Sequence, residues 1–338
     1  MRHRSCGRAD DHAFGGGPGR AGAGGARSRP GGARAQGSGT RRLVARARAS
    51  ALDRRALAAL ALALLLWAVS FPVTRIALAA YAPEHLALAR YGLATLALLA
   101  YCMLVRAPPP RRADLPGLAL TGLLCGTAYQ LGFNFGMRTV ASGPAAVLVD
   151  TVPIFAALFG FLFLRERLSF RGVGGIALGF IGTVLIASGE AGAAGFAFEP
   201  GAGYLLLAAL AFSLGSVVQK PLLSRLPAIP VTAYYFVAAT LGLGGFAPGL
   251  PASVAAAPAS ANWALLFLAL FPAALSFSLW SYALARLPVA QVSSSLYLVP
   301  VFTFPIAWIW LGEVPGALSF IGGAITLVGV LLVQLKGR

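Results

Sequence analysis

The chain has few charged residues, and this scarcity is the first property that restricts its class. Only 11% of its 338 residues are Asp, Glu, Lys or Arg, whereas 58% are hydrophobic and the mean hydropathy is +0.78. A soluble domain carries about a quarter charged residues, so the composition excludes an ordinary soluble protein. Of the 27 Lys and Arg residues, 13 lie within residues 1–55, which leaves the rest of the chain poorer still in charge.

Histidine and cysteine are also scarce, which excludes most kinds of metal site and active site. The chain has three His and three Cys, and Cys6, Cys102 and Cys125 form neither a CxxC pair nor an even disulfide framework. It contains no HExxH, GxSxG or nucleotide-binding loop either. We therefore expect a protein that is not an enzyme and that holds no cofactor and no metal.

The net charge of +17 does not indicate a nucleic-acid-binding protein, because no basic stripe falls on a folded domain. The charge lies in loops and in a tail at 1–55 that is rich in Gly, Ala, Arg and Pro and cannot bury a core. Loops and a tail that lie at the inner leaflet of the membrane account for this positive charge. The tail is either a disordered cytoplasmic arm on anionic lipid or the product of a start codon assigned too far upstream, and we favour the second reading.

Long apolar runs recur after the tail, and each has about the length that a helix needs to cross a membrane. A hydrocarbon core about 30 Å thick requires about 20 apolar residues. The runs do not alternate in polarity, which argues against barrel strands. They predict an all-α membrane protein with ten transmembrane helices, near 56–80, 84–105, 116–136, 142–164, 172–189, 202–220, 230–247, 261–282, 289–311 and 316–335.

The basic residues of the connections are concentrated on one side of the predicted membrane. That side holds 11 of them, whereas the other side holds only Arg138 together with Glu84, Glu190, Glu199 and Glu313. By the positive-inside rule both termini are cytoplasmic, which requires an even number of spans. The expected localisation is the bacterial inner membrane, with several crossings.

The sequence also carries an internal repeat. A shift of 147 residues places Pro153 on Pro300 and Glu166 on Glu313. A five-helix unit has an odd number of spans, so its second copy is inverted in the membrane. The predicted domains are the tail at 1–55 and two inverted five-helix repeats at 56–189 and 202–335.

Several segments resemble the drug/metabolite transporter superfamily, and within it the bacterial EamA-type permeases. The matching pieces are LLLWAVSFPVTRIAL, Arg90, YQLGFNFGMRTVASGPAAVL and the two Pro-to-LxE stretches that end at Glu166 and Glu313. The resemblance covers about residues 56–335. It implies a central cavity lined by helices one to four and six to nine, peripheral fifth and tenth helices, and transport of small metabolites, often driven by an ion gradient.

With the inverted repeats, this resemblance predicts a secondary transporter that works by alternating access. The expected cargo is an amino acid or related compound, and we expect export with ion-gradient coupling. The alternatives are a passive channel and a non-transporting receptor or regulatory subunit. The expected partners are the small-molecule substrate, membrane lipid and protons or another coupling ion, with a homodimer left open and no nucleic acid.

Asp150 and Arg90 are the two charged candidates for substrate binding or coupling. A carboxylate within a span costs about 2.5–3.5 kcal/mol on insertion scales, and such residues usually face a cavity. For Asp150 the alternative is a packing role through hydrogen bonds to neighbouring helices. Arg90 is expected to pair with Asp150 or with an anionic group of the substrate, and snorkelling is its alternative.

Polar and aromatic positions complete the predicted lining of the cavity. Gln130 and Asn134 share one face of helix three, although buried amides also hold helices together. Tyr129 adjoins them, and Trp67 and Phe71 form a helical stripe in helix one that would equally suit packing. The later helices contribute Trp280, Gln291, Ser294 and Tyr297.

Matched prolines and glutamates are the remaining candidates. Pro153 and Pro300 remove hydrogen bonds inside helices, which predicts a pair of equivalent hinges beside the site. Glu166 and Glu313 lie at opposite membrane faces. We expect them to cap or gate their ends of the repeat, with anchoring at the surface as the alternative.

Overall fold

A computed structural model describes residues 33–140, 145, 148–166, 169–191, 201–302, 306 and 317–334. Every regular element in these ranges is a helix and none is a strand, which confirms the all-α prediction. The chain divides into two compact units, residues 1–48 and 49–338. Of the first unit, the described residues 33–48 are helical. Residues 1–32 of the predicted tail lie outside the described part of the chain, and all that follows concerns the second unit.

The first half of this unit contains the helices α1 to α5. The segment Arg54–Leu78, labelled α1, is the apolar part of the helix Ala33–Leu78. Helix α3 covers 115–139 and consists of Leu115–Thr121, a π-helical segment Gly122–Ala128 and Tyr129–Thr139. The others are α2 at Pro83–Leu104, α4 at Val152–Leu164 and α5 at Phe170–Ala191.

The second half contains α6 to α10. They are α6 at Gly201–Leu223, α7 at Ala228–Gly242, α8 at Ala259–Leu284, α9 at Val289–Phe302 and α10 at Ala317–Gln334. Helix α8 also includes a π-helical segment, Ala269–Leu275. A shift of 147 residues places the π-helical segment of α3 on that of α8. The duplication predicted from the sequence is therefore present in the backbone as well.

The apolar outer surface of these helices is that of a membrane protein. Leu104 is 84% exposed and Trp263 is 70% exposed, and many other large apolar side chains face outward. A soluble monomer rarely exposes such continuous apolar surface. Among the described residues, α1, α2, α6 and α8 are long and apolar enough to cross a membrane, and shorter apolar helices lie in α4, α5, α7, α9 and α10. The number of crossings and the side of each terminus stay predictions.

Glycines allow α3 to approach α7 closely. A Cβ atom added at Gly122 would overlap the backbone oxygen of Tyr235 and lie 2.9 Å from the backbone nitrogen of Ala239. Because both obstacles are backbone atoms, the side chain could be accommodated only if the two helices moved apart. The contact joins a helix of the first half to a helix of the second half.

We expect Gly122→Ala to destabilise the protein by about 1–3 kcal/mol, the usual cost of overpacking. The measurement is the thermal unfolding midpoint of the purified protein in detergent. Gly203→Ala is the matched control, because no atom lies within 4 Å of the added Cβ and alanine favours the helix. Equal midpoints for the two variants would contradict the close contact.

Candidate functional site

A cavity of about 40 Å³ lies within the second unit, enclosed by residues from α1, α2, α3, α8, α9 and the segment that precedes α4. One water molecule occupies about 30 Å³ of liquid, so this space admits water but no metabolite. The lining consists of Trp67, Ser70, Phe71, Arg90, Tyr129, Gln130, Phe133, Val149, Asp150, Phe277, Leu296, Val299 and Pro300.

The cavity brings together seven of the side chains predicted from the sequence. Both charged candidates are among them, although they belong to different helices and are distant in sequence. The seven are Trp67, Phe71, Arg90, Tyr129, Gln130, Asp150 and Pro300. Helices α5 and α10 contribute nothing to this lining and pack along each other. Helices α6 and α7 do not line it either, in contrast to what the family resemblance implies.

Arg90 is buried within the protein, with only 4% of its surface exposed. Its Nε atom has no hydrogen-bond partner, and its guanidinium interacts electrostatically with Tyr91 and Tyr129. Within the described residues, Arg90 and Asp150 form no ion pair at 4.0 Å or less, although both line the cavity. The expected pairing with Asp150 is thus not made in this state. Burial on all sides also argues against snorkelling.

Asp150 lies in a turn directly before α4, and 3% of its surface is exposed. Its Oδ2 atom has no hydrogen-bond partner. The hydroxyl of the next residue, Thr151, donates a hydrogen bond to the carbonyl oxygen of Leu148 at 2.6 Å. A buried carboxylate with an unpaired oxygen and no adjacent cation is costly to keep charged. The packing alternative requires hydrogen bonds to neighbouring helices, and the Thr183 hydroxyl of α5 lies beside this carboxyl group.

The two prolines have different local settings. Pro153 occupies the first turn of α4, where a missing N–H costs no helical hydrogen bond, so it marks the start of a helix rather than a kink within one. Pro300 lines the cavity and follows the 3-10 turn Ser295–Tyr297. The helical backbone is interrupted beside each proline, at the turn before α4 and at the 3-10 turn of α9. Their action as hinges stays a prediction.

The amides of α3 form a short chain of hydrogen bonds. Gln130 Nε2 donates to Asn134 Oδ1 at 2.7 Å, and Asn134 Nδ2 donates to the carbonyl oxygen of Pro83 at 2.8 Å. Asn134 therefore ties α3 to the beginning of α2 and does not line the cavity. Gln130 does line it, with its side chain held in place by Asn134.

Aromatic side chains form the apolar walls. Trp67 Nε1 donates to the carbonyl oxygen of Pro272, at the π-helical segment of α8, at 2.9 Å. The Trp67 ring lies 5.2 Å from the ring of Phe277 and 5.3 Å from that of Trp280. Trp280 thus supports Trp67 from behind and is not part of the lining. On the other wall, the rings of Phe71 and Phe133 are 5.5 Å apart.

Helix α9 lines the cavity with side chains other than the expected serine and glutamine. Ser294 and Gln291 do not line it, and Ser294 Oγ donates to the carbonyl oxygen of Gln291 at 3.0 Å. Tyr297 is fully buried against α5, where a Cβ added at Gly179 would lie 2.5 Å from its ring. The six lining residues that were not among the predicted site residues are Ser70, Phe133, Val149, Phe277, Leu296 and Val299. Ser70, one turn after Trp67, and Val149, next to Asp150, could have been found from helical spacing.

Glu166 connects the two halves at one end of the structure. Its Oε2 and Oε1 atoms accept from the backbone N–H of Val289 at 2.9 and 3.2 Å, at the N-terminus of α9. A carboxylate is favourable there because it meets unpaired N–H groups and the positive end of the helix dipole. Nearby, Lys220 Nζ donates to the carbonyl oxygens of Leu284 and Leu287. Glu166 thus has the geometry of an end cap, whereas Glu313 lies outside the described residues.

Comparison with known proteins gives a consistent family signal. The EamA-like transporter family matches residues 54–188 and again residues 199–335. A relative from Streptantibioticus cattleyicolor, named "Probable terminal-alkyne amino-acid exporter", is 36% identical over 283 residues, or 83% of this chain and 94% of its own. The uncharacterized transporter YdfC of Bacillus subtilis is 34% identical over 272 residues, or 80% of this chain and 88% of its own.

A solved crystal structure shares the fold. It covers 85% of this chain and 99% of its own chain, with a TM-score of 0.67 and 20% sequence identity. At that identity the likeness concerns the arrangement of helices alone.

Proposed function

Because this chain belongs to the EamA-like transporter family, we propose that it exports an amino acid or a closely related compound across the bacterial inner membrane by alternating access. The family and the relatives establish a multi-pass membrane transporter of small metabolites. Cargo, direction and mechanism are the proposed part. No catalytic step is needed for this function.

The observation that carries the proposal is that one basic and one acidic side chain, both buried, line the same small cavity. Arg90 and Asp150 are both buried there and form no ion pair with each other. Each charge is costly to keep away from water, and a zwitterionic ligand offsets both costs at once. The guanidinium would bind the carboxylate of an amino acid in a forked arrangement, and the Asp150 carboxylate would bind its ammonium group.

The rest of the lining suits an amino acid with a small apolar side chain. Trp67, Phe71 and Phe277 provide aromatic surface, while Gln130 and Ser70 add polar groups near the charges. A mainly apolar pocket with a few fixed polar groups is the usual form of a small-molecule site. The relative named as an amino-acid exporter supports this choice of cargo.

The small volume of the cavity and the repeat support alternating access. A metabolite does not fit into about 40 Å³, so binding requires the helices around the cavity to move apart. The interruptions before α4 and within α9, together with the matched π-helical segments, give both halves equivalent places to bend. Inverted repeats expose a central site to each side in turn by such movement.

The test is counterflow in proteoliposomes loaded with unlabelled amino acids. We expect uptake of labelled amino acid that saturates with concentration and disappears when the inside is empty and no gradient is applied. A carrier gives this result because its binding site returns across the membrane with an unlabelled amino acid bound. Flux that rises without saturation would indicate the passive channel, and the absence of any amino-acid flux would overturn the proposed cargo.

A further inference from the structure

We propose that Asp150, Thr183 and Tyr297 form a proton site in which the two hydroxyl groups stabilise the Asp150 carboxylate once its proton has left. The inference rests on the proposed function and deepens it. It names the proton as the coupling ion and adds Thr183 and Tyr297 as positioning residues for its site.

The three side chains come from three different parts of the fold and converge in its interior. Asp150 precedes α4, Thr183 belongs to α5 and Tyr297 belongs to α9. Their exposed fractions are 3%, 1% and 0%. Thr183 lies beside the Asp150 carboxylate, and Tyr297 is close enough to it for an electrostatic interaction.

Each of the three side chains has a buried polar atom without a hydrogen-bond partner. These atoms are Asp150 Oδ2, Thr183 Oγ1 and Tyr297 OH. Buried polar atoms are nearly always paired in folded proteins, so three such atoms on neighbouring side chains need an explanation. A deprotonated Asp150 provides a use for them, because a carboxylate accepts charge-assisted hydrogen bonds from hydroxyl donors that are about twice as strong as neutral ones.

The surroundings favour a proton over a metal ion. Asp150 is a single carboxylate, and among the described residues no group of three or more His, Cys, Asp and Glu side chains lies close enough to hold a metal ion. The titratable or charged groups that face Asp150 are Arg90 from α2, Tyr129 from α3 and Tyr297 from α9, while α5 contributes the Thr183 hydroxyl. Arg90 lines the same cavity but forms no ion pair with Asp150 that would hold it permanently charged.

The repeat gives this site a central position. The shift of 147 that aligns the two halves places Asp150 on Tyr297. Each residue lies at the interruption of its helix, Asp150 in the turn before α4 and Tyr297 in the 3-10 turn of α9. Equivalent residues of inverted repeats that interact with each other lie near the axis relating the halves. A proton held there is accessible from whichever side the halves open toward.

The experiment measures the pH profile of amino-acid counterflow for Thr183→Val and Tyr297→Phe, each of which removes a hydroxyl group at nearly constant shape. Counterflow needs a deprotonated Asp150 to bind the ammonium group, so the wild-type rate is expected to rise with pH. Loss of a hydroxyl donor destabilises the carboxylate, and the midpoint should shift upward by about one pH unit in each variant. Thr183→Ser, which restores a hydroxyl, should return the midpoint toward the wild-type value.

Two matched controls test whether buried hydroxyls in general have this effect. Thr95 pairs with Thr240 at 2.9 Å, away from the cavity, and Tyr235 is buried on α7. Thr95→Val and Tyr235→Phe should leave the midpoint unchanged.

The outcomes separate this inference from the proposed function. Unshifted midpoints in both Thr183→Val and Tyr297→Phe, with intact wild-type counterflow, would overturn the inference and leave the transporter in place. A wild-type rate that responds to sodium at fixed pH, and not to pH, would also overturn it. No counterflow in the wild type would instead contradict the proposed cargo.

Discussion

Replacement of Asp150 by Asn is expected to reduce gradient-driven amino-acid transport by about a hundredfold, because the ammonium group then enters a buried site without its counter-charge. The residual transport should no longer depend on pH, since no proton can bind at that position. The measurement is transport in proteoliposomes with an imposed pH gradient, repeated without the gradient.

Asp114→Asn is the matched control for this variant. Asp114 Oδ1 lies 3.2 Å from Arg225 Nη2 in an ion pair away from the cavity, and its replacement should change transport little. The unfolding midpoint of Asp150→Asn should equal or exceed that of the wild type, because an unpaired buried carboxylate has been removed. Full gradient-driven transport together with a lower midpoint would instead support a packing role for Asp150.

Replacement of Arg90 by Gln is expected to weaken amino-acid binding by at least about tenfold. The variant loses the forked, charge-assisted hydrogen bonds to the substrate carboxylate. The apparent affinity for substrate in counterflow is the quantity to measure. Arg90→Lys keeps the positive charge but cannot form the two parallel hydrogen bonds of a guanidinium. Its apparent affinity for substrate should therefore lie between those of Arg90→Gln and the wild type.

Arg75→Gln serves as the control, because Arg75 is exposed near the end of α1. Its removal should leave the apparent affinity unchanged. If Arg90→Gln and Arg75→Gln behaved alike, the guanidinium of Arg90 would have no part in substrate recognition.

Helix positions could be predicted because apolar run length translates directly into helix length in a membrane. The run at 84–105 corresponds to Pro83–Leu104, and the run at 202–220 to Gly201–Leu223. The scarcity of charged residues also made two residues of the site predictable. Since few charged side chains lie inside apolar runs, Asp150 and Arg90 could be selected, and the cavity includes both.

The rotation of each helix could not be predicted in the same way. In a soluble protein a polar face identifies the outside, but here both the lipid-facing and the core-facing sides are apolar. A serine does not identify the side of a helix that faces the cavity, because its hydroxyl can donate a hydrogen bond to a carbonyl oxygen of its own helix. Ser294 does so with Gln291. Helix α9 therefore presents Leu296 and Val299 to the cavity instead of the predicted Gln291 and Ser294.

Local backbone irregularities also gave no signal in the sequence. The π-helical segment of α3 contains no proline, whereas that of α8 contains Pro272. Both occur at equivalent positions because the helices that surround them are equivalent, and single-helix propensity does not reveal that. The hydrogen bond from Trp67 to the Pro272 carbonyl depends on the same irregular geometry.

Recognition of a zwitterion between Arg90 and Asp150 is the central claim, and competition in counterflow tests it most directly. The competitors are an amino acid, the amine that lacks its carboxylate and the acid that lacks its ammonium group. The wild type should prefer the amino acid to both analogues by at least about tenfold, and Arg90→Gln should lose its discrimination against the amine while keeping it against the acid. Equal competition by all three compounds in the wild type would contradict the account.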